Sequence, residues 1–233
     1  ALGYAPELGE EIWSYIPHNL LPHLQWLDDP NYTHVYYVDQ KPKIVDARIF
    51  PDDMNHPGGW GTVLIGGLRY GGKDYEVDDL NQDGVADDPA TFSSCYFALD
   101  ITNPGGPQLL WEFNDPDHLG LTSSYPAVDR VGRADEQGDW YVVFGSGPTD
   151  FDGTSDQMAS GFVLNLLTGN LERRFGANPG GDGFPENPAV EFHGWVGGLA
   201  SMDMNLDYQT NAIYAGASYE VFGVVTFGKM TGS

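Results

Sequence analysis

Two matched sets of four short strands constrain this 233-residue chain more than any other feature of its sequence. In the first set, apolar and β-branched runs at 43–49, 62–68, 95–101 and 109–113 are separated by turn residues. In the second, runs of the same texture lie at 126–131, 140–145, 161–166 and 171–175. The second strand of each set ends in glycine and leads into a long polar loop. The third ends at a tight turn, built around Asn103, Pro104, Gly105 and Gly106 in one set and around Thr168, Gly169 and Asn170 in the other. A shorter third set follows at 195–202, 212–217 and 221–227. Successive four-stranded antiparallel units are what the blades of a β-propeller require. A β-sandwich also uses short strands and Gly/Pro turns, but the matched order of strands and loops favours the propeller. A closed propeller takes about 4–8 blades, so three would form only a portion of one, with unpaired blade faces at its ends. The expected fold class is therefore all-β: a partial or modified propeller of consecutive four-stranded antiparallel blades.

Residues 1–33 have a different texture. Ile12, Trp13 and Ile16, then Leu20, Leu21, Leu24 and Leu27, recur at helix-like intervals, but Pro17 and Pro22 interrupt the runs. Short helical pieces are expected there and nowhere else. The chain thus divides into an N-terminal helical or irregular segment, 1–33, and a propeller portion, 34–233. A strand-like run, THVYYVD, at 33–39 spans the boundary between the two.

Composition narrows the function. Glycine (31) and proline (16) make up about a fifth of the chain, which favours turns over long helices. Thirty-four acidic residues against ten basic ones leave a net charge of -24. Such a surface repels nucleic acid and anionic membranes, excluding both as partners, and it attracts divalent cations. The single cysteine, Cys95, lies in an expected strand and reads as a packing thiol. No apolar run approaches the ~20 residues of a membrane span. The sequence does not open on a signal peptide, so a mature product or a piece of one is expected.

The loop between 68 and 95 carries Asp79, Asn81, Asp83, Gly84, Val85 and Asp87. Oxygen donors at alternate positions can curl around one hard cation, and a glycine at the sixth position permits the sharp turn. Asp79, Asn81, Asp83 and Asp87 would donate side-chain oxygens and Val85 its carbonyl, with Ca²⁺ as the fitting ion. Ala90 stands where an EF-hand has its bidentate glutamate, and the flanks are strands, so this is an EF-hand-like loop carried on β-structure. The simpler reading is a solvated acidic hairpin tip. A second, weaker candidate is Asp203, Asn205, Asp207, Gln209 and Asn211, with Tyr208 in the glycine position. A third acidic tract, Asp150, Asp152 and Asp156, has poor spacing and reads as a solvated loop.

No catalytic set emerges from the residues. Gly145, Ser146 and Gly147 follow a strand but lack the Gly-x-Ser-x-Gly elbow. His56, His118 and His193 are scattered, and none has a zinc spacing. The chain is expected to be catalytically inert and to act by binding.

Several stretches in order resemble the PilC/PilY family of type IV pilus-associated proteins. They are 11–17 (EIWSYIP), 60–72 (WGTVLIGGLRYGG), 97–102 (FALDIT) with 110–112 (LWE), 140–147 (WYVVFGSG), and 203–207 (DMNLD) ahead of 213–216 (IYAG). The resemblance implies a modified β-propeller from the C-terminal half of a much larger exported protein. It implies a place at the pilus tip or cell surface, associated with the outer membrane. Adhesion, pilus biogenesis and control of retraction are the implied roles. Pilus subunits or minor pilins, and host or other surface ligands, are the implied partners. A propeller calcium site is implied too, and both acidic runs look like it. The rivals are a quinoprotein-type dehydrogenase, whose propellers also repeat an Ala-Leu-Asp…Trp pattern and hold calcium, and a calcium-stabilised lectin-like or scaffold propeller.

Overall fold

The computed structural model describes residues 9–81, 83–132, 138–176, 193–205, 207–218 and 222–226. The first regular element is a 3₁₀-helix, His18–Asp28, with Pro22 inside it. A proline within a helix removes an N–H donor and crowds the preceding turn, and the chain settles into this tighter, shorter-range helix. Residues 9–16, expected to be helical, are not. The buried Leu20 packs with Leu68, Cys95 and Tyr37, which seats the segment on the first sheet. Cys95 itself is 1% exposed, and burial pushes its thiol pKa far up, as the packing role requires.

The run at 33–39 is not a strand, a departure from its sequence pattern. Its alternation is used for side-chain anchoring. Tyr37 points into the cluster just described, and Asp39 accepts the Tyr70 N–H at 3.0 Å and pairs with Arg69 at 3.5 Å. Two 3₁₀ turns, Pro57–Gly59 and Arg69–Gly72, lie outside the N-terminal region to which helix was expected to be confined.

From residue 43 onward the strands follow the expected sets. Strands β1 (Lys43–Arg48), β2 (Trp60–Gly67), β5 (Tyr96–Asp100) and β6 (Gln108–Phe113) pair antiparallel in that order. Between β2 and β5 the chain makes a two-stranded ribbon, β3 (Tyr75–Val77) and β4 (Ala90–Phe92), in register Tyr75↔Phe92 and Val77↔Ala90. The ribbon carries the first acidic loop and has no clear signature in the sequence. Strands β7 (Ala127–Val131), β8 (Asp139–Gly145), β9 (Ser160–Asn165) and β10 (Leu171–Gly176) make the second four-stranded sheet. Strands β11 (Val196–Met202), β12 (Ala212–Ala217) and β13 (Phe222–Thr226) make a third, three-stranded among the described residues. Among the described residues the sheets are all antiparallel and none is closed on itself.

The second sheet is buried on both faces. Val142, Phe144, Phe162 and Leu164 face the first sheet and form the main core with Val63, Ile65, Tyr96, Ala98 and Trp111. Val143, Val163 and Phe175 point the other way, against Ile213 of the third sheet. Strand β8 therefore reads as a near-continuous apolar run, because successive side chains go to opposite faces and both are dry. Strand β1, at the edge of the first sheet, leaves Ile44 57% exposed and alternates instead.

Polar contacts stitch the sheets where they meet. Trp111 Nε1 donates to the Leu166 carbonyl at 2.8 Å, joining the first sheet to the second. The Val196 N–H donates to the Ser146 carbonyl at 2.9 Å, joining the second to the third. Glycine at the end of β8 has a reason here: a Cβ on Gly145 would sit 2.3 Å from the Val196 Cβ. Beside that seam, Thr210 Oγ1 donates to the buried Asp129 at 2.7 Å. Burial raises the Asp129 pKa above the usual carboxylate range, against hydrogen bonds from Ser201 and Thr210.

Candidate cation-binding loops

The β3–β4 ribbon holds Asp79 and Asp88 opposite each other, and the first acidic loop hangs between them. Asp79 folds the loop from within. One of its oxygens accepts the Asp83 N–H at 3.2 Å and the other the Gly84 N–H at 2.8 Å. Asn81 Oδ1 accepts the same Asp83 N–H at 2.8 Å, and Asp83 accepts the Val85 N–H at 2.9 Å. Gly84 takes φ of 90°, a left-handed conformation that favours glycine. The Val85 carbonyl, expected as a ligand, accepts the Asp87 N–H at 2.9 Å.

Asp88 is the residue that sequence reasoning passed over. Its two oxygens accept the Leu80 and Asn81 N–H groups at 2.9 and 3.0 Å. It closes the loop from the tenth position, two residues before the alanine that replaces the EF-hand glutamate. A carboxylate one residue past the ninth position is the available signal, but spacing does not reveal which backbone groups it would cap.

The second acidic loop, between β11 and β12, repeats this pattern. Asp203 accepts the Asp207 N–H at 3.3 Å and the Tyr208 N–H at 2.8 Å, and Asp207 accepts the Gln209 N–H at 3.0 Å. Asn205 Nδ2 donates to Asp207 at 3.0 Å. Asn211, expected as the ninth-position ligand, accepts the Met204 N–H at 2.7 Å and closes the loop as Asp88 does in the first. The glycine missing from the sixth position is replaced by strain: Tyr208 itself adopts φ of 64°. A left-handed residue bearing a Cβ costs roughly 1–2 kcal/mol. Tyr208 is 82% exposed and its ring contributes little packing. Tyr208→Gly should thus leave stability unchanged or raise it by up to about 1 kcal/mol, after the glycine's extra chain entropy is deducted. Urea unfolding of the two proteins measures this, and a clear loss would mean that the tyrosine ring holds the loop.

Both loops present oxygen donors only, the donor set of a hard cation. The carboxylates of Asp79, Asp83 and Asp87 do not converge as closely as those of another group. Among the described residues, Asp115, Asp117 and His118 bring one donor atom each to within 4.8 Å of one another. In the sequence His118 has no zinc spacing. Its partners stand one and three residues before it on the β6–β7 connection, a turn closed by the Leu119 N–H on the Asp115 carbonyl at 2.8 Å.

The remaining candidates are structural. Asp152 accepts the Thr154 N–H at 2.9 Å, and Asp150 pairs with Lys73 at 3.4 Å, so the third acidic tract is a braced turn. His56 stacks on Phe50 at 4.0 Å and lies 2.8 Å from Asp100. Burial alone would raise the Asp100 carboxyl, but hydrogen bonds from Thr102 and His56 outweigh it and hold the group below its ordinary range. His193 forms an isolated bridge with Met158.

Comparison with known proteins gives a consistent set of relatives. No protein-family model matches the chain. It is 31% identical over 211 residues to a type IV pilus biogenesis factor PilY1 homolog of Xylella fastidiosa, covering 88% of this chain and 12% of that protein. It is 33% identical over 172 residues to the type IV pilus biogenesis factor PilY1 of Pseudomonas aeruginosa (strain PAK), covering 71% of this chain and 12% of that one. The crystal structure of the Pseudomonas aeruginosa PilY1 C-terminal domain superposes with a TM-score of 0.58 at 25% identity, over 91% of this chain and 34% of that one. The chain spans about an eighth of the length of these curated relatives.

Proposed function

The chain is a PilY1-family protein, and from that premise we propose that it is a calcium-binding propeller portion of a type IV pilus biogenesis factor. The observation that carries the reading is the similarity to PilY1 proteins along 88% of the chain, together with two loops of hard-cation donors folded in the same way. Asp79, Asn81, Asp83, Asp87 and the Val85 carbonyl would hold one Ca²⁺. Asp203, Asn205, Asp207, Gln209 and Asn211 are the second set. Calcium takes six to eight oxygens in flexible geometry, which suits such exposed loops better than magnesium's strict octahedron. Bound calcium would supply the charge that lets the carboxylates converge, and the chain's own backbone N–H groups orient them.

In this reading the protein works outside the cell, at the pilus tip or outer surface, by binding and not by turnover. Pilus subunits or minor pilins, and host or other surface ligands, are its partners. Calcium-dependent order in the loops would set how the protein supports pilus assembly, retraction control and adhesion.

The test is genetic. Asp79→Ala and Asp203→Ala are each placed in the full-length gene of the source organism, and surface pili and twitching motility are scored with and without a calcium chelator. At least one variant should fall to the level of a strain lacking the gene while its protein accumulates normally. Wild-type piliation in both variants would overturn the calcium-dependent part of the proposal. Wild-type piliation in the strain lacking the gene would overturn the pilus reading.

A further inference from the structure

The β6–β7 connection carries a donor set of a different chemical kind from the two acidic loops. We propose that Asp115, Asp117 and His118, with the adjoining cleft faced by Ser93 and Gln157, form a binding site for a divalent transition-metal ion of the zinc type.

The donor atoms are close to ligand spacing already. Two donors on one ion at about 2.0–2.2 Å cannot stand more than about 4.4 Å apart. The three groups lie within 4.8 Å of one another, so small side-chain rotations bring them onto a shared ion. The turn that holds them is braced by its own backbone, with the His118 and Leu119 N–H groups on the Asp115 carbonyl at 3.2 and 2.8 Å. His118 Nδ1 lies 2.9 Å from Asp115 Oδ1, a hydrogen-bond distance, so the ring nitrogen is already turned toward the carboxylate with which it would share an ion. A hydrogen-bonded turn needs only that one contact. It does not require a second carboxylate, Asp117, at the same spot.

An independent observation comes from the other side of Asp115. A small cleft is lined by Asp115, Pro116, Ser93, Gln157, Asp74 and Lys73, among others. Ser93 is 4% exposed, yet its Oγ has no hydrogen-bond partner. Gln157 is anchored there by its Nε2, which donates to the Pro116 carbonyl at 2.9 Å, and its buried Oε1 also lacks a partner. Buried polar atoms are normally satisfied by protein or by ordered water. A metal with three protein ligands keeps further positions for water, and a small movement of Ser93 or Gln157 toward the cleft that Asp115 also lines would let such waters satisfy the orphans. Lys73, the one base on this cleft, is turned to Asp150 at 3.4 Å and to the Thr149 carbonyl at 3.0 Å, so it does not serve the orphan oxygens.

The mixed donor set selects the ion. Imidazole with carboxylates suits zinc, cobalt or nickel, whereas calcium takes oxygens alone. This separates the site from the two acidic loops, and it stands whether or not the pilus reading does.

The test titrates the purified 233-residue chain with Co²⁺, following its visible absorption, and then displaces it with Zn²⁺. A saturable cobalt spectrum, displaced by zinc but not by millimolar calcium, is expected. Removing even an outer-sphere partner of a metal typically costs about 10–100-fold in affinity, so His118→Gln and Asp117→Asn should each lose at least that much. Far-ultraviolet circular dichroism checks that both variants keep the fold, and Ser93→Ala should weaken binding to a smaller degree. A cobalt spectrum that never saturates, that calcium displaces, or that survives both ligand substitutions overturns the proposal and leaves the trio as a turn brace.

Discussion

Phe144→Ala will lower the free energy of unfolding by about 3–5 kcal/mol, the range for emptying a buried phenylalanine site. The ring is fully buried near the C-terminal end of β8, in the sheet that is covered on both faces. It stacks on Tyr96 of the first sheet at 4.0 Å and meets Phe162 and Phe113 at 5.6 and 5.9 Å. Tyr96 cannot follow the missing ring, because its hydroxyl is tied to the Ser124 carbonyl and to Gln40. The cavity therefore stays open, and the loss adds to that of the buried area. Against a typical total of about 5–15 kcal/mol, the variant should be a large fraction of the way to unfolded at room temperature. Urea denaturation measures it, beside Ile44→Ala on the exposed edge of β1, which should change stability by no more than about 0.5 kcal/mol. Equal and small effects at both positions would mean that the first two sheets do not pack face to face.

The second large effect concerns calcium. Saturating Ca²⁺ should stabilise the protein by mass action, about 2.7 kcal/mol at a hundredfold excess over the dissociation constant of a single site. Five carboxylates fall between Asp78 and Asp88 with no base among them, and their repulsion opposes closure until a cation arrives. The bidentate glutamate is missing, so affinity should lie near the ~10⁻⁴–10⁻³ M of extracellular modules. Asp83→Ala removes a ligand and the acceptor of the Val85 N–H, so it should abolish the part of the thermal shift due to the first loop. Asp207→Ala removes the corresponding group from the second. Calorimetry on the wild type and both variants apportions the sites. If neither substitution alters the heat of binding, the loops are charged hairpin tips and calcium acts elsewhere.

Much of the architecture was legible from residues alone, and for a physical reason. Short apolar runs bounded by glycine and proline have few alternatives to a strand, so β12 falls where it was expected, Ala212–Ala217, and most of the other strands do so to within a residue or two. The order of strands within each set followed, because strands consecutive in sequence tend to pair as neighbours in a sheet, here even across the long loops after β2 and β8. The alternation of oxygen-bearing side chains in the acidic loops was legible too, since alternation is a local property.

What only the tertiary structure decided are the features that depend on distant partners. The run at 33–39 has a strand's alternation, but Tyr37 was claimed by Leu20, Leu68 and Cys95, and pattern cannot tell a sheet edge from a packing site. Tyr208 occupies a glycine's conformation because Asp203 and Asp207 hold the turn around it, at a cost that local propensity would have argued against. The Asp115 cluster was invisible as a zinc spacing because the backbone turn, and not a helix or a finger, brings its donors together. Its cleft is completed by Ser93 and Gln157, residues more than twenty and forty positions away from it in sequence, whose unpartnered oxygens exist only once the loops are packed.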